Sequence, residues 1–182
     1  TFRKLHLFED PGEKTMALAT AGNLAISQSV ISLLREGIRN PETDRIETLT
    51  DQPSLFKAAQ FVGHVIRTVH DTDGVSLERN GVSFEVSMLL GGQFKGHSPR
   101  LFMLYKAGNF IEATPDTPYF QVGEHKYGKP ILDRAVTHKS SLLDCLKLSL
   151  ISMDSTMRSN LSVGLPIDVV MLREGAEGWD IN

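Results

Sequence analysis

Apolar and polar residues alternate in several short stretches of the chain, which is the pattern of strands that bury one face. The first stretch covers residues 2–8, where Leu5 and Leu7 point to one side and Lys4 points to the other. A second, Thr15–Ala21, consists of small residues, so that another group can approach its backbone closely. Further strands are predicted over residues 84–90, 100–107, 110–113, 119–122 and 166–172.

Four segments repeat their apolar residues every three or four positions, which is the spacing of one helix face. The first begins after Gly22-Asn23 and ends at Asn40-Pro41, because the residue before a proline avoids helical angles. Ser54 is the predicted N-cap of the second helix, which ends near the turn Asp71–Gly74. The remaining helices are predicted over residues 129–136 and from 140 or 141 to about 153, and residues 41–53 are predicted to form a loop.

The order of elements is a strand pair, a helix pair, several strands, a second helix pair and a final strand. Helices that come in adjacent pairs do not fit the strand–helix alternation of a parallel sheet. They predict an α+β fold, a four-layer α-β-β-α sandwich of two antiparallel sheets whose inner faces pack together. A length of 182 residues is typical of one domain, and we expect residues 1–182 to form it.

Composition narrows the function classes. Hydrophobic residues make up 41% and charged residues 23%, as in an ordinary globular domain. The net charge of −3 argues against a nucleic-acid-binding protein, which usually has a basic surface. The single cysteine, Cys145, excludes an internal disulfide, and no apolar run reaches the roughly 18 residues of a membrane helix. The six histidines form no i, i+4 pair, so we expect no metal site, and no motif indicates a cofactor.

Two polar features each allow two interpretations. The segment Asp154–Gly164 is rich in hydroxyl and amide side chains and lies between a predicted helix and a buried strand. It is either a capped helix end with a polar loop, or a set of hydrogen-bonding groups around an active centre. Lys4 either packs its stem while its amine reaches water, or is a buried amine with a lowered pKa that takes part in catalysis.

Five segments, spread from the first residue almost to the last, form an ordered set. They are TFRKLH (1–6), TAGNLA (20–25), LLGG (89–92), FQVGEHKYGKPILDR (120–134), and MRSNLSVG (157–164) with PID (166–168) after it. A motif such as LLGG is weak by itself. As an ordered set, the segments resemble the bacterial proteasome-like Anbu family, which has the proteasome-type fold of N-terminal-nucleophile hydrolases.

The resemblance implies a threonine peptidase. In such enzymes the hydroxyl of an N-terminal threonine attacks the peptide bond, its own α-amine is the base, and a strand lysine lowers the local proton affinity. That lysine corresponds to Lys4. The backbone of Ala19 corresponds to the oxyanion-binding group, where proteasomes usually have glycine. Ala17 and Ala21 correspond to the lining of the substrate side-chain pocket, and Thr20 between them is a further substrate-binding candidate.

Two later segments are also implied to line the site. The loop that reads Gly-Ser-Gly in proteasomes corresponds to Gly123-Glu124-His125, so that a glutamate replaces the serine in this substrate-binding loop. An aspartate and a serine that support the nucleophile correspond to residues between Asp154 and Ser162. An alignment without gaps puts Asn160 at the aspartate position, with Ser159 beside it, whereas an alignment with an insertion puts Asp154 there.

The nucleophile itself is expected upstream of Thr1. The family's first strand, its nucleophilic threonine and its orienting aspartate all precede the segment that corresponds to Thr1–Lys4. Residues three apart on a strand lie about 10 Å apart and point to opposite faces, so Thr1 does not readily share its hydroxyl with Lys4. We therefore interpret Thr1 as an ordinary strand residue, and expect this sequence to lack the family's first β-hairpin.

Other functions stay open at this stage. Ala19 and Glu124 depart from the proteasome pattern, which favours a non-catalytic, self-assembling structural subunit, and the shared mechanism also allows an amidohydrolase that acts on small amides. The resemblance implies self-association into a multi-subunit ring or helical assembly, and we expect the apolar stripes of the first helix pair to form the interface. It also implies a peptide or unfolded-protein substrate in the cytoplasm, with no nucleic-acid or membrane partner.

Overall fold

The computed structural model describes residues 2–176, 178 and 180–181, and Thr1 lies outside the described residues. In chain order the strands and helices are β1 (Leu5–Asp10), β2 (Lys14–Gly22), α1 (Leu24–Glu36), β3 (Ile38–Arg39), β4 (Ile46–Glu47), α2 (Leu55–Val69), α3 (Val75–Arg79), β5 (Val86–Phe94), β6 (Arg100–Leu104), β7 (Phe110–Glu112), α4 (Lys129–Ala135), α5 (Leu142–Ser159), β8 (Val170–Met171) and β9 (Asp180–Ile181). A 3₁₀ turn, Leu49–Asp51, precedes α2, and a π-helical turn, His70–Gly74, joins α2 to α3.

Five strands form one antiparallel sheet in the order β1-β2-β5-β6-β7. The central pair is β2 and β5, which run from Lys14 opposite Phe94 to Gly22 opposite Val86. Strand β5 continues through Gly91-Gly92, where the sequence predicted its end. A Cβ on Gly92 would lie 2.4 Å from the Thr15 carbonyl oxygen, so glycine allows β2 and β5 to stay paired at this point.

Helices α1 and α2 cover one face of this sheet. Buried positions alternate along the strands, so that Leu18, Leu90 and Phe102 form one fully buried row across β2, β5 and β6. The apolar stripes of both helices pack on that row; their fully buried members are Val30, Leu34, Ala58, Ala59, Val62, Val65 and Ile66. These stripes lie inside the core, so the prediction that they form an interface between subunits is wrong.

The first helix pair begins where the sequence predicted. Asn23 Oδ1 accepts a hydrogen bond from the backbone N–H of Ala25 (2.9 Å), and Ser54 Oγ accepts one from Lys57 (3.2 Å). Helix α1 ends before the predicted Asn40, because Gly37 takes a positive φ of 91° and the chain enters the β3–β4 hairpin. That hairpin and the 3₁₀ turn occupy part of the predicted loop.

The predicted turn at Asp71–Gly74 is helical instead. The His70 ring packs edge-on against Phe84, with 4.8 Å between ring centres. It also lies over Gly74, where a Cβ would come within 3.1 Å of the ring. A glycine at this position therefore leaves room for the ring, and the helical path continues as a π-turn into α3.

The opposite face of the five-stranded sheet is apolar but only half-buried. The register aligns Leu5, Ala19, Leu89 and Met103 in one row across four strands, and all four are half-exposed. A neighbouring row contains Leu7 and Leu101, which are also half-exposed. We call this surface the open sheet face. In a sandwich, such a face packs against a second sheet.

Helices α4 and α5 pack against each other. A Cβ on Gly128, immediately before α4, would lie 2.3 Å from Ser152 Oγ and 2.8 Å from Thr156 Oγ1, so the two helices approach closely here. Much of the apolar surface of α5 remains exposed: Leu143 is 58%, Leu150 41% and Ile151 53% accessible. This exposure distinguishes α5 from the two helices that cover the sheet.

Most predicted strands are present with shifted ends, but two predictions differ more from the structure. Residues 119–122 form no strand ladder, and the final strand retains only Val170–Met171 of the predicted 166–172, paired with β9. Within the described residues, β8 and β9 form a separate two-stranded antiparallel sheet. The predicted α+β class with antiparallel sheets is confirmed, and none of the helices in the described part of the chain has the length and apolar character needed to cross a membrane.

Replacing Gly63 in α2 by alanine should lower the free energy of unfolding. A Cβ at this position would lie 2.1 Å from the Gly108 carbonyl oxygen, in the turn between β6 and β7. Alanine gains about 1 kcal/mol in helix propensity, but forcing this backbone contact apart costs about 1–3 kcal/mol. Urea denaturation should show net destabilisation for Gly63→Ala and little change for Gln60→Ala, an exposed position on the same helix. A stabilised Gly63→Ala variant would show that the turn moves away freely.

Candidate active site

The end of β2 meets the loop that precedes α4. Gly123 lies beside Ala21, since a Cβ on Gly123 would be 3.6 Å from the Ala21 Cβ. Gly123 has a φ of 89°, a backbone conformation that favours glycine, so the loop can turn at this point. Two of the predicted substrate-binding residues, distant in sequence, are therefore neighbours in space.

Glu124 joins this loop to the end of α5. Asn160, the C-cap of α5, donates a hydrogen bond from Nδ2 to Glu124 Oε2 (2.9 Å), and the Lys126 N–H donates to Oε1 (2.8 Å). The bond from the Lys126 backbone, followed by the bond from Asn160, lowers the pKa of Glu124. The other side of the Asn160 amide is also held, because its Oδ1 accepts hydrogen bonds from the N–H and the hydroxyl of Ser162.

The other two candidates on α5 are placed differently. Asp154 accepts a hydrogen bond from Arg158 Nε (2.8 Å) in an exposed i, i+4 pair on the helix surface. Ser159 is the last residue of α5 and is exposed. Of the alternatives that the alignment left open, the structure brings Asn160 to the predicted substrate-binding loop and leaves Asp154 paired with Arg158.

The site residues predicted in the first two strands do not cluster at one point of the structure. Lys4 is exposed, one residue before β1, and its carbonyl oxygen accepts a hydrogen bond from the Thr20 N–H (2.9 Å). The Thr20 side chain is buried. Ala17 and Ala19 share the face of Ala21 but lie about 13 and 7 Å back along the strand. Ala19 also lies between β1 and β5 in the sheet, so its main chain faces these two strands.

A cavity of about 660 Å³ opens beside Ala21 and Gly123. Its apolar wall includes Met103 and Ile111 from the open sheet face and Val136 from the end of α4. The segment of residues 116–123 forms much of the remaining wall. This volume is typical of a small-molecule or peptide side-chain pocket. Sequence patterns did not predict the cavity, because its walls come from strands and a loop that are far apart in the chain.

Three charged or polar side chains form one network at this cavity. Lys129 Nζ donates to both carboxylate oxygens of Asp133 (2.6 and 2.7 Å), and the Tyr119 hydroxyl donates to the same carboxylate. The bond from Lys129 is the main reason for the lowered pKa of Asp133, whereas burial and the bond to Asp133 raise the pKa of Tyr119. The i, i+4 spacing of Lys129 and Asp133 is visible in the sequence, but their link to Tyr119 requires the folded loop.

Replacing Asn160 by alanine should raise the pKa of Glu124. The variant loses the Nδ2–H donor but keeps the Lys126 N–H, so the pKa should move towards its ordinary value without reaching it. Because the folded-state pKa is lowered, the stability that this carboxylate contributes is present above its ordinary pKa and is lost as pH falls through the folded-state value. Carbon-13 NMR titration of the glutamate carboxyls would measure the shift.

Asn80→Ala is the matched control for this titration, since the Asn80 amide donates to the Ser76 carbonyl oxygen at the C-terminal end of α3. It should leave the pKa of Glu124 unchanged. An unchanged pKa in Asn160→Ala as well would mean that the bond between Asn160 and Glu124 does not persist in solution.

Comparison with solved structures gives matches along most of the chain. Anbu (ancestral β-subunit) from Yersinia bercovieri is 51% identical, with an alignment that covers 92% of this chain and 68% of that one and a TM-score of 0.81. A Gly-1 mutant of Anbu from Hyphomicrobium sp. strain MC1 is 45% identical over 100% of this chain and 72% of that one, with a TM-score of 0.84.

The helical assembly of the Anbu complex from Pseudomonas aeruginosa contains a chain that is 44% identical, with coverage of 100% and 74% and a TM-score of 0.90. No protein-family model and no curated protein matches the chain. Sequence identities of 44–51% over 92–100% of this chain show common family membership as well as a shared fold. The chain therefore belongs to the Anbu family of proteasome-like proteins, and has the proteasome-type N-terminal-nucleophile fold.

Proposed function

We propose that the chain is part of a cytoplasmic, proteasome-like threonine peptidase subunit that hydrolyses peptide bonds. The observation that carries the proposal is that Ala21 and Gly123 line one cavity, while Glu124, the residue after Gly123, bonds to Asn160 at the end of α5. Ala21 lies at the end of β2 and Asn160 caps α5. Gly123 and Glu124 lie in the loop that contacts both of them. Such a site can bind an extended peptide along its rim and a side chain in the cavity.

The nucleophile of this peptidase is an N-terminal threonine on a β-hairpin upstream of Thr1. The open sheet face supports this part of the proposal, since its rows of leucine and methionine side chains need an apolar partner. Two short strands placed there would cover Leu5, Leu89 and Met103. The matched Anbu chains are longer, and this chain spans 68–74% of them.

Lys4 is the proposed electrostatic partner of the nucleophile. Its carbonyl oxygen is held by the Thr20 N–H, one residue from Ala21, so the backbone of Lys4 is fixed next to the β2 end of the site. Its side chain is exposed in the described residues and free to reach a strand laid on that edge. Asn160 is the proposed supporting residue, in preference to Asp154, because its amide bonds to Glu124 in the substrate-binding loop.

In the intact protein, Lys4→Ala should lower peptide turnover by about 100-fold or more, because a cation that lowers the proton affinity of the amine base is lost. Turnover is measured on a panel of fluorogenic peptides and, for comparison, small acyl amides. Lys57→Ala removes an exposed lysine on α2 and should leave turnover unchanged. Equal turnover in Lys4→Ala and wild type would contradict the assigned role.

The nucleophile is tested separately with an electrophilic peptide inhibitor and mass spectrometry of the labelled chain. We expect one covalent adduct on an N-terminal threonine. If the intact protein has no such threonine, forms no adduct and hydrolyses no peptide, the peptidase proposal fails. Hydrolysis of small amides without hydrolysis of peptides would instead identify an amidohydrolase.

A second candidate function is a non-catalytic, self-assembling subunit, which the substitution of Glu124 for the proteasome serine favours.

Self-assembly is proposed for the peptidase as well as for a non-catalytic subunit. The exposed leucines of α5 are the supporting surface in this chain, and the Anbu complex from Pseudomonas aeruginosa forms a helical assembly. We propose that α5 contacts another copy, in a multi-subunit ring or a helical assembly.

The double variant Leu143→Glu/Leu150→Glu should reduce the mass of the assembly, since two charges would replace apolar side chains at the contact. Light scattering after size-exclusion chromatography measures this change. Ile46→Glu is the control, because Ile46 is an equally exposed apolar residue on β4, away from α5. An unchanged mass in the double variant would place the contact elsewhere.

A further inference from the structure

The outward side of α5 carries apolar and charged residues in a regular order. Because successive helix residues are about 100° apart, seven exposed residues of α5 lie within an arc of about 120°. We call this arc the outer stripe, and its residues are Leu143, Asp144, Lys147, Leu150, Ile151, Asp154 and Arg158. The buried side chains of Ser152 and Thr156 lie on the other side of the helix, against Gly128 before α4.

The charges of the outer stripe alternate in sign around an apolar centre. Acidic Asp144 and basic Lys147 precede the apolar pair 150–151. Acidic Asp154 and basic Arg158 follow it. At 1.5 Å per residue, Lys147 and Asp154 each lie about 5 Å from the middle of that pair, and the outer two charges lie about 10–11 Å from it. Each charge on one side of the centre therefore has an opposite charge at a similar distance on the other side.

These charges remain accessible to a partner molecule. Asp154 accepts a hydrogen bond from Arg158 Nε (2.8 Å), yet the two side chains are 56% and 77% accessible. Asp144 Oδ2 accepts a hydrogen bond from the Ser141 hydroxyl (2.7 Å) at the start of the helix, and Asp144 is exposed. Among the residues that the structure describes, none forms an ion pair with Lys147. The stripe therefore presents charges that an incoming surface can pair.

A second copy of α5 matches this order when the two helices run antiparallel. Consider a two-fold axis that passes between positions 150 and 151. Lys147 then faces the partner's Asp154. Asp144 likewise faces the partner's Arg158, and the symmetry repeats both contacts. In a parallel pair in register, each charge would instead face its own equivalent, so that like charges would repel along the whole stripe.

We propose that two copies of the chain associate through the outer stripes of their α5 helices, antiparallel and about a two-fold axis near Leu150 and Ile151. Burial of the apolar centre supplies the attraction, and the reciprocal ion pairs select the orientation. The inference rests on the proposed self-assembly through α5 and adds the direction and register of that contact. It does not depend on peptide hydrolysis.

The test uses two charge reversals in the intact protein. Lys147→Glu places an anion opposite the partner's Asp154, and Asp154→Lys places a cation opposite the partner's Lys147. Because the symmetry makes each repulsive contact occur twice, the dissociation constant of the α5 contact should rise about tenfold or more in each variant. Light scattering over a range of protein concentrations measures this constant. Lys57→Glu reverses an exposed lysine on α2 and should associate as wild type does.

Combining the reversals should restore the contact. In Lys147→Glu/Asp154→Lys, opposite charges face each other again, and the dissociation constant should return to within about threefold of the wild-type value. An equimolar mixture of the two single variants should also associate, because the introduced glutamate then faces the introduced lysine. Neither rescue can arise inside one helix, since positions 147 and 154 are about 10.5 Å apart along its axis.

The inference would be overturned by single variants that associate as strongly as wild type, by a double variant as weak as the single ones, or by a wild-type protein that does not associate. The variant Leu143→Glu/Leu150→Glu separates two of these failures. If it lowers the assembly mass while the double reversal gives no rescue, α5 contacts a different surface and only the antiparallel arrangement fails. If it leaves the mass unchanged as well, the proposed assembly through α5 also fails.

Discussion

The packing of α1 and α2 on one face of the five-stranded sheet is the constraint on which the rest of the structure depends. Leu18, Leu90 and Phe102 are fully buried under these helices. Since strand side chains alternate, a slip of one residue in β2 would expose this row and bury its neighbours. Burial therefore fixes the register of β2, and with it the position of Ala21, against which the loop at Gly123 is placed.

Periodicity predicted the elements whose side chains are sorted by burial. Helix α2 was expected from Ser54 to about Asp71 and runs from Leu55 to Val69, because all of its apolar residues except Phe56 are buried in the core. The pattern failed where a single backbone contact decides the outcome. Gly92 looked like the end of a strand but allows the Thr15 carbonyl oxygen to approach closely where Gly92 pairs with Met16. Residues 119–122 alternate like a strand but have no ladder partner among the described residues.

The site could be predicted from the sequence only through the resemblance. Glu124 and Asn160 are 36 residues apart, and neither is unusual by spacing or composition. The alignment allowed Asp154 or Asn160, and only the folded chain shows that Asn160 bonds to Glu124 whereas Asp154 pairs with Arg158. The network of Tyr119, Lys129 and Asp133 was missed, since the tyrosine reaches the helix only after the loop folds back.

The close approach at Gly128 has a mechanical consequence. With no room for even a methyl group against Ser152, the start of α4 packs directly on α5. The next residue, Lys129, is part of the cavity wall through its bonds to Asp133. A displacement of α5 would therefore also displace the start of α4, and with it the Lys129–Asp133 pair in the cavity wall.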